Sequence, residues 1–116
     1  MAEETSFKKL KEWINNHTRL TIVDIDSTTI KVTETWGTDN KTSIDLNIHR
    51  TDSGKYTCVG YISYLSKYEY IKVDLIEVFK TVKSEEELIK ALKSIFLAAN
   101  DLTNTIYRIE SELKDS

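Results

Sequence analysis

The chain has 116 residues, 40% of them apolar and 30% charged, with a net charge of −3. That balance describes one folded domain with a core of its own, and it excludes both a disordered tail and a polycation drawn to nucleic acid by bulk charge. With one cysteine, no proline, three glycines, no apolar run of membrane-spanning length and no signal-peptide core at the start, the sequence leads us to expect a cytoplasmic protein without an internal disulfide.

Residues 6–16 form the first expected element, within an N-terminal segment of residues 1–18. Phe7, Leu10 and Ile14 recur at helical spacing among Lys8, Lys9, Lys11 and Glu12, and Asn15-Asn16 supplies a stop. Residues 19–80 are rich in Thr, Ile, Val and Tyr and read as strands near 20–25, 29–36, 43–49, 56–63 and 68–79. The links between them are short: "DST", "TDN", "DSG" and "SK". Short links between successive strands make hairpins, and hence an antiparallel meander of four to five strands.

The registers are mutually consistent. A turn at "DSG" sets Ile48 opposite Cys58, Leu46 opposite Gly60 and Ile44 opposite Ile62, while a turn at "TDN" sets Leu46 opposite Val32 and Ile48 opposite Ile30. A two-residue turn at Ser66-Lys67 sets Ile62 opposite Ile71, Gly60 opposite Val73 and Cys58 opposite Leu75, so four strands share one apolar face. The other face then displays Lys31, Asp45, His49, Tyr61, Tyr68, Tyr70 and Lys72, with Tyr61 opposite Lys72 and Tyr70 opposite Ser63. Beyond Leu75 the apolar parity passes to Ile76 and Val78, the mark of a bulge.

The last element runs over residues 84–115. Ser84 and Glu87 form a capping box, and nothing interrupts the helix as far as Lys114. Leu88, Leu92, Ile95, Ala99, Leu102, Ile106, Ile109 and Leu113 alternate spacings of four and three, a heptad seam. In the first half Ile89 and Phe96 widen it to cover a sheet. In the second half it narrows to Leu102, Ile106, Ile109 and Leu113, which points to pairing with a second copy as a homodimer. The alternative is a helix that stays on its own domain throughout. The predicted fold is therefore α+β: a helix, an antiparallel sheet, and a long C-terminal helix on one sheet face that extends as a coiled-coil seam.

The chain offers little chemistry. His17 and His49 lie on different elements, Cys58 falls on the covered face, and Asp24 and Asp26 sit at a hairpin where Asp26 serves the turn. No phosphate loop, nucleophile triad or helix-borne histidine pair is present, so no catalytic residue, metal or cofactor is expected. A pocket gathering His49, Asp45 and Tyr61 would reopen the enzyme reading.

What stands out is residues 55–72, "KYTCVGYISYLSKYEYIK", which hold five of the six tyrosines. Rings on an open sheet make a stacking platform for bases. Tyr61, Tyr68 and Tyr70 are the expected stackers, with Lys72, Lys67, Arg50, Lys55 and Lys31 on phosphates. Tyr56 and Tyr64 point to the covered face and read as core. Tyrosine is also simply favoured in strands, and Asp45 and Asp74 on the same face repel phosphate. The charge is uneven too: the chain from Ser84 onward carries four basic against seven acidic residues.

The order of a helix, an antiparallel meander over residues 20–79 and a long C-terminal helix with a seam from Leu88 to Leu113 resembles the ThermoDBP group of archaeal single-strand-binding proteins. That resemblance implies a sheet-and-helix domain that binds single-stranded nucleic acid and a C-terminal zipper that dimerises it. The architecture is also similar to the Whirly and coactivator-type single-strand binders. It is a likeness of architecture and carries over no individual residue. The expectation is a non-enzymatic homodimer that binds single-stranded DNA or RNA through its open sheet face. The alternative, from a different class, is a protein-interaction module, an inhibitor or adaptor using the same aromatic face.

Overall fold

A computed structural model describes residues 7–36, 42–65 and 72–114. Helix α1 (Lys8–His17) is followed by strands β1 (Thr21–Asp26), β2 (Thr29–Trp36), β3 (Thr42–Arg50), β4 (Tyr56–Leu65) and β5 (Lys72–Val82), and then by helix α2 (Glu85–Lys114). The strands form one antiparallel sheet in the order β1-β2-β3-β4-β5. The α+β architecture read from the sequence is the one observed.

Pairing across β2, β3 and β4 follows the apolar parity without a slip. Ile30 faces Ile48, Val32 faces Leu46, Ile48 faces Cys58, Leu46 faces Gly60 and Ile44 faces Ile62. At the β3–β4 turn the Thr51 N–H donates to the Lys55 carbonyl at 2.8 Å, and Gly54 takes a φ of 85°, a left-handed conformation that glycine adopts without steric cost.

Between β4 and β5 the register differs from the expected one; the expected turn at Ser66-Lys67 lies outside the described residues. Leu65 pairs with Lys72, Ile62 with Ile76, Gly60 with Val78 and Cys58 with Lys80. The bulge is present, however: Ile76 lies opposite Ile62 and Asp74 opposite Ser63, which leaves Leu75 as the extra residue. By shifting the parity at Leu75, the bulge lets Ile76, Val78 and Val82 face the helices opposite Ile62, Gly60 and Tyr56.

Both helices lie on one face. Phe7, Leu10 and Ile14 of the α1 region and Leu88, Leu92 and Ala99 of α2 are buried against Ile30, Val32, Ile44, Leu46, Ile48, Cys58, Ile62 and Val78. The helices are tied at their first turns. The Leu10 N–H donates to the Glu85 carboxylate at 2.9 Å, so α2 caps an orphan donor of α1, which has no side-chain cap of its own. Lys9 and Glu86 pair at 2.6 Å beside it, and Trp13 stacks on Phe96 with ring centroids 6.4 Å apart. At the start of α2 the Glu87 N–H donates to Ser84 Oγ at 3.2 Å. The Glu87 carboxylate reaches back to the Lys83 N–H at 2.8 Å, one residue earlier than a capping box requires.

The second half of α2 does not leave the domain. Thr103 is buried, Tyr64 at the end of β4 meets Tyr107 edge-on at 6.1 Å, and the Tyr64 hydroxyl donates to Glu110 at 2.6 Å. Meanwhile Leu102, Ile109 and Leu113 stay exposed and Ile106 is half-buried. A straight helix drifts by about 20° per heptad against a 3.5-residue repeat. The seam that begins under the sheet at Leu88 has therefore turned outward by Ile109, and positions 103 and 110 have turned inward to replace it.

Gly60 lies opposite Leu46, where the β3 backbone leaves no room for a side chain. A Cβ built there would stand 2.0 Å from the Asp45 carbonyl oxygen and 2.9 Å from the Leu46 Cα. Gly60→Ala is expected to lower stability by about 2–3 kcal/mol by forcing this ladder apart, read as a drop in the urea midpoint with the m-value preserved.

Candidate interaction face and its surroundings

Because both helices cover one side, every second residue of each strand faces outward. Three of the cross-strand rows on this face matter here. The first runs Thr29, His49, Thr57 and Thr81; the second Val23, Lys31, Asn47, Val59 and Phe79; the third Thr21, Thr33, Asp45, Tyr61 and Glu77. Phe79 is 78% exposed and Tyr61 45%, with Val59 exposed between them as the direct partner of Phe79 and the i−2 neighbour of Tyr61. These three side chains form a contiguous apolar and aromatic patch at the β4–β5 end of the face.

The patch is electrostatically unlike the one expected. Tyr61 faces Asp45 on one side and Glu77 on the other, whereas the short-turn register placed Lys72 beside it. Asp74, not Tyr70, lies opposite Ser63, and its carboxylate accepts the Ser63 hydroxyl at 2.7 Å. Lys31 has its ammonium 3.6 Å from the Asp45 carboxylate. Arg50 and Lys55 are exposed at the β3–β4 turn. Lys72 pairs through its backbone with Leu65, two residues before Asp74; its side chain lies outside the description. Lys67, Tyr68 and Tyr70 lie outside the described residues. Of the eight residues expected to bind nucleic acid, the described structure thus puts Tyr61 and Lys31 on the open face and Lys55 at its turn end, while Arg50, paired with Tyr56, has the parity of the covered face.

The remaining polar residues have local roles. The Thr28 N–H and hydroxyl donate to Asp26 at 2.9 and 3.1 Å, and these bonds hold its carboxyl below the ordinary carboxylate range, as befits a turn former. Asp24 pairs with Lys11 at 2.8 Å, which ties β1 to α1. His49 Nδ1 and Thr29 Oγ1 lie 3.0 Å apart across their strands. Tyr56 and Tyr64 are buried on the covered face, as expected.

Phe79 falls at the end of the strand expected over residues 68–79, and nothing in the sequence pattern marks it as a surface residue. Unexpected too is a group of lysines beside β5: Lys80, Lys83 and Lys90 line an open groove of about 520 Å³ between the end of β5 and the outer flank of α2. The signal for the groove was present in the helix, where Glu87, Lys90, Ala91 and Ser94 share one stripe at spacings of three, four and seven.

The fold defines the class: a one-sided antiparallel sheet roofed by two helices, with its other face bare. Compared with protein families, with curated proteins and with solved structures, the chain matches none.

Cys58 is buried under the helices, and burial pushes its thiol from an ordinary 9.0 up to about 12. The native protein is expected to resist iodoacetamide at neutral pH and to be alkylated only after unfolding, as mass spectrometry would show. The folded state holds this proton to higher pH than the unfolded chain does. Its contribution to stability is therefore complete below about pH 9 and lost as pH rises toward about 12. Replacing Cys58 by Ser should remove that part of the alkaline fall in a denaturation series.

Proposed function

We propose that this protein is a non-enzymatic interaction module whose open sheet face docks another protein, and that it works as a homodimer. The observation that carries the first part is the patch of Val59, Tyr61 and Phe79 set among the carboxylates of Asp45 and Glu77. A phosphate chain laid over Tyr61 would run between two carboxylates, with its nearest cation already beside Asp45. A protein surface with an apolar anchor and a basic border fits the same patch without that conflict. Exposed aromatic side chains with rigid rings are the kind that dominate binding energy at protein interfaces.

A second reading, single-stranded nucleic acid, is favoured by the exposed ring of Tyr61 together with Lys55 at the turn end of the face. There the ring stacks bases and the turn holds the backbone. The two readings part in one experiment. Partner protein is captured with the intact chain and with the Tyr61→Ala/Phe79→Ala variant, while labelled single-stranded DNA and RNA are titrated by anisotropy at low and physiological salt. A protein partner retained at high salt, and weakened at least about tenfold by the double change, is the expected result. Salt-sensitive oligonucleotide binding that Tyr61→Ala abolishes would replace this reading with the nucleic-acid one.

The homodimer rests on the exposed side of α2. Leu102, Ile109 and Leu113 form an exposed apolar stripe beside the side held by Thr103 and Glu110, and a second α2 offers it the same spacing. Changing Leu102 and Ile109 together to Lys should convert the dimer to a monomer in sedimentation equilibrium while leaving the circular dichroism spectrum intact. A chain that sediments as a monomer before the change removes the proposal.

A further inference from the structure

The groove beside β5 is a different surface, formed by an edge and a helix flank. Among the described residues β5 ends the sheet, and no strand pairs with its outer side. An edge strand carries a row of unused N–H and C=O groups facing outward. The helix wall supplies Lys90, Ala91 and Ser94, and the strand end supplies Lys80 and Lys83. The one acidic lining residue, Glu87, already has its carboxylate on the Lys83 N–H. On the other side of the same edge stands Phe79, the most exposed large apolar side chain described.

We infer that this edge binds an extended acidic segment of a partner protein, which adds to β5 as a sixth strand. The added strand's side chains alternate between the two faces. Those turned toward α2 enter the groove, where carboxylates meet Lys80, Lys83 and Lys90. Those turned toward the open face lie beside Phe79 and cover it. The fitting segment therefore alternates acidic and apolar residues. Main-chain hydrogen bonds give such a strand its affinity, and alternate side chains give it specificity.

Other occupants fit less well. A second copy pairing β5 with β5 would bring Lys80 and its groove neighbours against their own mates, a like-charge arrangement that keeps identical edges apart. Nucleic acid would find the lysines, but no ring lines the groove to stack a base, and its backbone cannot continue the ladder. The inference rests on the protein-docking reading only in requiring a protein partner, since Phe79 is the one residue the two surfaces share.

The test uses the whole chain and a fluorescein-labelled synthetic peptide of about ten residues alternating Glu and Val, with a Lys–Val peptide and an oligo-dT of similar length as controls. Binding of the Glu–Val peptide alone is expected, weakened at least about tenfold by Lys80→Glu/Lys90→Glu. Both lysines are exposed, so a circular dichroism spectrum like that of the parent chain is expected for the variant. Hydrogen exchange should slow at β5 amides when the peptide is bound, which a loose charge contact would not produce. Tyr61→Ala should leave peptide binding unchanged even where it abolishes docking on the open face, so the two surfaces fail separately. No binding of the Glu–Val peptide, binding indifferent to the charge reversals, binding without protection of β5, or lysine-dependent binding of oligo-dT would each overturn the inference.

Discussion

The nine residue pairs that join β3 to β4 set the frame for the rest of the molecule. Their pairing runs without a bulge from Thr42–Tyr64 to Arg50–Tyr56, and it fixes which residues look toward the helices and which toward solvent. A slip of one residue would turn Ile44, Leu46 and Ile48 to water and bring Asp45, Asn47 and His49 under the helices. Gly60 lies within this ladder, where the missing side chain lets the β3 backbone come close. Strand β2 takes its parity from it without a shift, and the outer strands β1 and β5 each carry a bulge, at Ile25 and at Leu75.

The roof depends on the frame in turn. The apolar stripes of α1 and α2 are too narrow to bury themselves against each other alone, and they share the same sheet face. Where they meet, the link is polar: a carboxylate of α2 takes an N–H that α1 leaves open, flanked by an ion pair and a stacked Trp–Phe pair. Exposed ion pairs contribute little, so the hydrogen bond to the backbone and the ring contact carry most of this junction. Placing both helices on one side leaves the other face bare, and that asymmetry gives the molecule a surface to work with.

How much of this was legible varies by element. The β2–β3–β4 registers could be read because turn chemistry and apolar parity agreed, with Gly54 and the alternation of Ile44, Leu46 and Ile48 pointing to one arrangement. In β5 they disagreed. Val73 and Leu75 carry one parity, Ile76, Val78 and Val82 the other, and a short turn made the first set look natural. Tyr61 was legible as an outward residue because it belongs to the well-determined strand. Its neighbours were not, because they come from β5, and the error exchanged a lysine for Glu77 beside its ring. The α2 seam was legible as a pattern, but its rotation relative to the sheet was not. That rotation follows from the mismatch between 3.5 and 3.6 residues per turn, which accumulates only along a helix as long as this one.

The bond from Leu10 to Glu85 joins residues 75 positions apart, with the whole sheet between them. During synthesis α1 emerges first, yet the carboxylate that completes its first turn is made after the whole sheet. A ten-residue helix has little stability alone in water, so α1 waits, amphipathic and unclosed, until α2 begins. The final helix thus acts as a latch on the first, and the domain closes only once the ribosome has passed beyond its fifth strand.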